Sequence, residues 1–170
     1  MKLIPRAKYR QDDPRRGAPA QAPELALERF LPYRLSVLTN RISTAIARVY
    51  AKRFELTVPE WRVMAVLGRF GAMSAHAVCD RTAMDKVRVS RAVARLAASG
   101  RLARRIDSAD RRRSVLALTE SGRAVYEEIG PLALAAEARL LMPLDAADRS
   151  DLDRLLAKLE ERASTPFTED

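Results

Sequence analysis

The side chains best suited to chemistry in this sequence are cationic and clustered. Between Asp85 and Asp107 no acid occurs, while Lys86, Arg88, Arg91 and Arg95 recur with Ser90 and Ala94 among them. On a helix turning about 100° per residue, Arg88, Ser90, Arg91, Ala94 and Arg95 fall on the arc opposite Val89, Ala92, Val93, Leu96 and Ala97, with Lys86 in the first turn. Guanidinium forks pair with guanine O6 and N7 or with phosphate, and serine bonds either. Ala94 is small enough for close approach. The expected chemistry is recognition of double-stranded DNA in the major groove. A second cationic cluster, Asp110-Arg111-Arg112-Arg113, lies in a polar stretch further on.

Other chemistries find little support. A single cysteine, Cys79, and a single histidine, His76, exclude a disulfide framework, a Cys-rich zinc or iron–sulfur site and most His-based metal chemistry. No metal and no cofactor is expected. There is no His-Glu metal pair, Gly-rich phosphate loop, Gly-x-Ser-x-Gly elbow or neighbouring Cys-His couple, so an enzyme is not expected. No apolar run approaches the roughly 18 residues that span a bilayer. The stretch MKLIPRAKYRQDDPRR contains nothing long and apolar enough for a secretory signal. The expectation is a cytoplasmic protein with no membrane partner.

The elements that must position the cations can be read from periodicity. Apolar residues are 48% of 170 and charged residues 31%, enough for one domain with appendages. Residues 81–113 carry 11 basic and 3 acidic groups, whereas residues 120–170 carry 6 and 12. A polyanion-binding surface on a separate, self-associating scaffold would distribute charge this way. Residues 1–23, with Pro5, Pro14, Gly17, Pro19 and Pro23, read as a flexible basic arm. Leu35, Leu38, Ile42, Ile46, Val49 and Tyr50 predict a long amphipathic helix within 24–54, starting in earnest near Pro32. Thr57 and Glu60 form a capping box for a helix that Gly71 ends. Ser74 starts a short helix, and Asp85 caps one running from Lys86 to Ser99 before Gly100. Residues 101–106 and 114–118 predict a hairpin with DSADRRR at its charged tip. Thr119 caps a helix that continues past Pro131 to Leu141. The final helix carries Leu152, Leu155, Leu156 and Leu159 on one stripe, more leucine than a small lobe needs to cover.

The predicted fold class is mainly α: a winged helix-turn-helix with a helical dimerisation region formed by the N- and C-terminal helices. The boundaries are arm 1–23, dimerisation region 24–56 and 120–163, DNA-binding lobe 57–119 and tail 164–170.

DKVRVSRAVARLAASGRLARR followed by DSADRRRSVLALTESGR resembles the multiple-antibiotic-resistance-regulator (MarR) family of winged-helix transcription factors, over roughly residues 30–163. The resemblance implies that Arg112 enters the minor groove, where a narrow A·T-rich segment attracts a guanidinium. Asp110, two residues earlier, would hold it by a charge-assisted pair. It matches the family's base-contacting positions to Arg88, Ser90 and Arg91. Arg95, Arg111, Arg113 and Lys86 complete the expected DNA-facing set. It further implies a homodimer reading a pseudo-palindrome, usually as a repressor.

Family members usually bind a small, often phenolic or aromatic carboxylic ligand between dimerisation region and lobe. The candidates are Tyr33, Ser36, Asn40, Ser43, Trp61, Arg62 and His76, polar groups on otherwise apolar helices. LPYRLSVLTNRIS further resembles the branch controlling aromatic-acid catabolism, some of whose members sense hydroxycinnamoyl-CoA thioesters. Arg34, Arg41 and the basic arm would then receive the CoA phosphates. Two rival readings are a thiol- or peroxide-sensing regulator using Cys79, with Arg81 favouring the thiolate and Asp80 opposing it, and a non-specific DNA-binding protein.

Overall fold

The computed structural model describes residues 25–106 and 114–165. The basic arm, the hairpin tip with Asp110, Arg111, Arg112 and Arg113, and residues 166–170 lie outside them. The described residues fall into two units, 25–37 and those from Leu38 onward. In the first, a turn closed by the Phe30 N–H to the Ala26 carbonyl (3.0 Å) leads into α1, Leu31–Phe54. The helix begins at Leu31, close to the expected start at Pro32 and not at Glu24.

In the second unit, α2 (Val58–Phe70), α3 (Ala75–Thr82) and α4 (Lys86–Ala98) precede a two-stranded sheet and two long helices, α5 (Glu120–Leu140) and α6 (Ala146–Ala163). Strands β1 (Leu102–Ile106) and β2 (Ser114–Leu118) pair antiparallel, Leu102 opposite Leu118 and Ile106 opposite Ser114. A third edge was not foreseen. Met73 bridges Leu116 through Met73 N–H to the Leu116 carbonyl (3.1 Å) and the reverse bond (2.8 Å). One residue between Gly71 and Ser74 carries no periodicity, so pattern alone could not reveal it.

Polar caps delimit the helices where the sequence suggested. Ser74 Oγ accepts the Ala77 N–H at 3.2 Å, and Asp85 Oδ1 accepts the Arg88 N–H at 2.8 Å. Each satisfies a donor that the first helical turn leaves open. Gly71 and Gly100 end α2 and α4 at φ of +82° and +69°, backbone that β-carbon-bearing residues rarely adopt.

The core joins α2 to the helix-turn-helix. Val63, Met64 and Leu67 of α2 are buried in one cluster with Val78, Val89, Val93, Leu96, Leu102, Leu116 and Ile129. Each such side chain contributes about 1.5–3 kcal/mol on leaving water, so α4 is seated through its Val89, Ala92, Val93 and Leu96 stripe. Ala97, expected in that stripe, is exposed near the helix end. There the chain turns towards β1, and no neighbour covers that last flank.

The base of the hairpin is tied to α5. The Thr119 N–H donates to the Arg101 carbonyl (3.1 Å), and Thr119 Oγ1 donates to the Gly100 carbonyl (2.6 Å) while accepting the Gly122 N–H (3.0 Å). The end of α4, the start of β1 and the start of α5 are thus hydrogen-bonded to one another through Thr119. By contrast, α6 buries none of its residues, and Leu152, Leu155, Leu156 and Leu159 all stand exposed.

Candidate nucleic-acid interface and ligand cleft

Helix α4 presents its cations as the periodicity requires. Lys86, Arg88, Ser90, Arg91, Ala94 and Arg95 are all exposed, and the buried stripe lies opposite them. Two of the arginines are held. Arg88 Nε lies 3.4 Å from Asp85 Oδ2, the carboxylate that also caps the helix. Arg95 Nη1 lies 3.6 Å from Oε1 of Glu60, whose side chain is only 5% exposed. Glu60 Oε2 in turn accepts the Thr57 N–H at 2.7 Å. One buried carboxylate thus starts α2 and anchors the last turn of α4, so Arg95 serves the packing of the two helices as well as the surface. Sequence spacing could show the capping box but not the contact across 35 residues. Arg91 has no ion pair among the described residues.

The cations flank α4 on two sides. Arg88, Arg91, Ala94 and Arg95 line a groove of about 670 Å3 with Thr57, Pro59 and Glu60 of the α2 start. Lys86 and Ser90 line a second groove, about 340 Å3, with His76 and Cys79 of α3 and Arg104 of β1. Val87, outside the expected DNA-facing set, stands on the crest, 59% exposed. Its signal was available: it sits seven residues before Ala94, on the same side of the helix.

The ligand candidates divide. Ser43, Trp61 and Arg62 do come together, around a cleft of about 140 Å3 completed by Ile46, Tyr50 and Val58. Arg62 Nη2 donates to Ser43 Oγ at 3.0 Å, fixing the guanidinium at the rim. Tyr50 and Trp61 are tilted against each other with centroids 5.5 Å apart, and Trp61 stacks on Tyr126 of α5 at 6.1 Å. Trp61 is therefore both core edge and cleft wall. Burial pushes the Tyr50 phenol up to about 12, with the Arg62 guanidinium pulling the other way, so it remains a neutral hydrogen-bonding group at physiological pH. Tyr50, expected in the α1 core stripe, also lines the cleft, and its spacing of seven from Ser43 sets both on one side of the helix.

The remaining candidates do not join this cleft. Asn40 and Arg41 line a separate groove along α1 with Thr44, Ala45 and Arg48. Tyr33, Arg34 and Ser36 are exposed in the first unit. His76 lies beside Asp80 at 3.6 Å and lines the α3–α4 groove, not the cleft. Arg81, expected to act on Cys79, sits over the Phe70 ring at 4.1 Å. Among the described residues no cluster of three or more His, Cys, Asp or Glu could hold a metal. No described helix is long and apolar enough to cross a membrane.

A model of the MarR family matches residues 54–113. The comparison with curated proteins gives no match. Among solved structures, a MarR family transcriptional regulator from Silicibacter pomeroyi is 30% identical at a TM-score of 0.66, covering 80% of this chain and 98% of that one. BpsR of Bordetella bronchiseptica, described for the regulation of its DNA binding by 6-hydroxynicotinic acid, is 29% identical at 0.70, covering 82% and 98%. A MarR/EmrR family regulator from Acinetobacter sp. ADP1 is 27% identical at 0.75, covering 82% and 99%. Recognition helix, strand pair and helical flanks thus recur together in transcriptional regulators, and this chain belongs to the MarR family of winged helix-turn-helix transcriptional regulators.

Proposed function

We propose that the protein is a ligand-released repressor that binds a pseudo-palindromic operator as a homodimer. The observation that carries the reading is the exposed face of α4, where Lys86, Arg88, Ser90, Arg91 and Arg95 all stand opposite the buried stripe. In the major groove these side chains would divide between phosphate and base edges. Arg112, held by Asp110 and flanked by Arg111 and Arg113, would enter the minor groove; that role rests on the sequence resemblance. Dimerisation through residues 24–56 and 120–163 accounts for the leucines of α6, exposed at 38–49% in the single chain. A leucine face of that extent is ordinarily covered by a partner. The lobe is then 57–119.

The effector would occupy the Ser43–Tyr50–Trp61–Arg62 cleft. Its 140 Å3 matches one aromatic ring, since a cavity of roughly 150 Å3 holds benzene. Trp61 and Tyr50 offer ring faces, and Arg62 offers a bidentate partner for a carboxylate. The size favours a simple aromatic acid over a CoA thioester, whose nucleotide would have to lie outside. The relationship to BpsR, whose DNA binding is regulated by 6-hydroxynicotinic acid, points to the same chemical class.

The test is operator binding, on a duplex selected from a random pool, with hydroxybenzoates, 6-hydroxynicotinate and their CoA thioesters added in turn at fixed salt. A free acid should weaken binding at least tenfold in the wild type. Arg62→Ala should abolish the response while leaving unliganded affinity within about threefold, because losing a bidentate carboxylate pair removes roughly 1.5–3 kcal/mol. If neither class of compound changes binding, the effector reading is wrong.

A further inference from the structure

We infer that Val87 determines operator specificity by packing against the 5-methyl group of a thymine, on the reading that α4 enters the major groove. The other two valines of α4, Val89 and Val93, are 1% and 4% exposed, whereas Val87 is 59% exposed. It belongs to no part of the core cluster and lines neither groove beside the helix. Nor does it serve the helix locally: valine is a poorer helix former than lysine, arginine or alanine, and Asp85 already supplies the cap.

Its position on the helix is more specific. Seven residues come within about 20° of two full turns, so Val87 and Ala94 share one ridge, with the exposed Arg91 between them. That ridge lies opposite the buried stripe. Lys86 and Ser90 stand on one flank of it, Arg88 and Arg95 on the other. Cations on both flanks would engage the two phosphate walls of a groove, which sends the ridge toward its floor. The floor of the major groove offers a single apolar feature, the C5-methyl of thymine. An exposed pair of γ-methyls beside an exposed arginine is matched to that feature.

The experiment uses the full-length chain and its selected duplex, resynthesised with deoxyuridine at each thymine in turn, which removes only the methyl. One thymine per half-site should matter. Its replacement should weaken binding about fourfold, and on the order of fifteenfold when both half-sites are changed, the value of one buried carbon each. In Val87→Ala the same replacement should change affinity less than twofold. Val87→Thr, which keeps the side-chain shape and one methyl, should show an intermediate ratio. A preferred duplex with no uridine-sensitive thymine, or a sensitivity that survives in Val87→Ala, overturns the inference and leaves groove binding by α4 standing. Absence of any preferred duplex overturns the groove reading itself, and this inference with it.

Discussion

Gly122→Ala is expected to lower the unfolding midpoint by roughly 6–12 °C at fixed protein concentration. A β-carbon at this position would lie 1.9 Å from the Arg101 carbonyl oxygen and 2.9 Å from its carbon. Both are backbone atoms, so no rotamer can relieve the overlap. Either α5 or the strand start must retreat by more than an ångström. That retreat would break the Thr119–Arg101 and Thr119–Gly100 bonds that tie the hairpin base to α5. Overpacking costs about 1–3 kcal/mol and a lost hydrogen bond about 1 more, against which alanine's better helix propensity returns about 1. The clash wins by about 3 kcal/mol once the second hydrogen bond is counted, and each kcal/mol moves the midpoint of a chain this size about 2–4 °C. A thermal melt of the variant within two degrees of wild type would show that the α5 start is not locked to Arg101 as described.

The second large effect is on DNA. Arg88→Ala with Arg91→Ala should reduce operator affinity at least a hundredfold while leaving the oligomer and its melting unchanged. Both side chains are exposed and neither packs into the core. Their loss therefore removes contacts at the groove without opening a cavity. Each arginine contact is worth about 1–3 kcal/mol, and the change occurs in every copy bound. Where a lost contact was to phosphate, the slope of log affinity against log salt should fall by about one per contact. Fluorescence anisotropy over a salt series measures both quantities. An affinity within threefold of wild type would remove α4 from the interface.

Much of this architecture was legible because it is written in local rules. Ser74, Asp85 and Thr119 mark helix starts through side-chain acceptors, and Thr57 does so through Glu60 three residues on. The α4 stripe followed from its 3.6-residue period. What stayed hidden depends on contacts between segments distant in sequence. The Glu60–Arg95 pair and the Met73–Leu116 bridge have no local signature. Gly122 looked like an ordinary helix residue until Arg101 was placed against it. The ligand candidates shared one property, polarity on an apolar helix, and that property cannot say which polar groups converge. Ser43, Trp61 and Arg62 converge through side-chain contacts between α1 and α2, while His76 rides on α3 and lines another groove.

Paired α4 helices reading two half-sites of one duplex are the centre of the proposed mechanism. The most direct test takes the selected operator and inserts five base pairs between its half-sites, turning one half to the opposite face of the helix. Binding stoichiometry and affinity are then compared at one salt concentration. Two chains per intact operator, with a loss of at least a hundredfold on insertion, is the expected result. A single chain per operator, or equal affinity for both spacings, would contradict it.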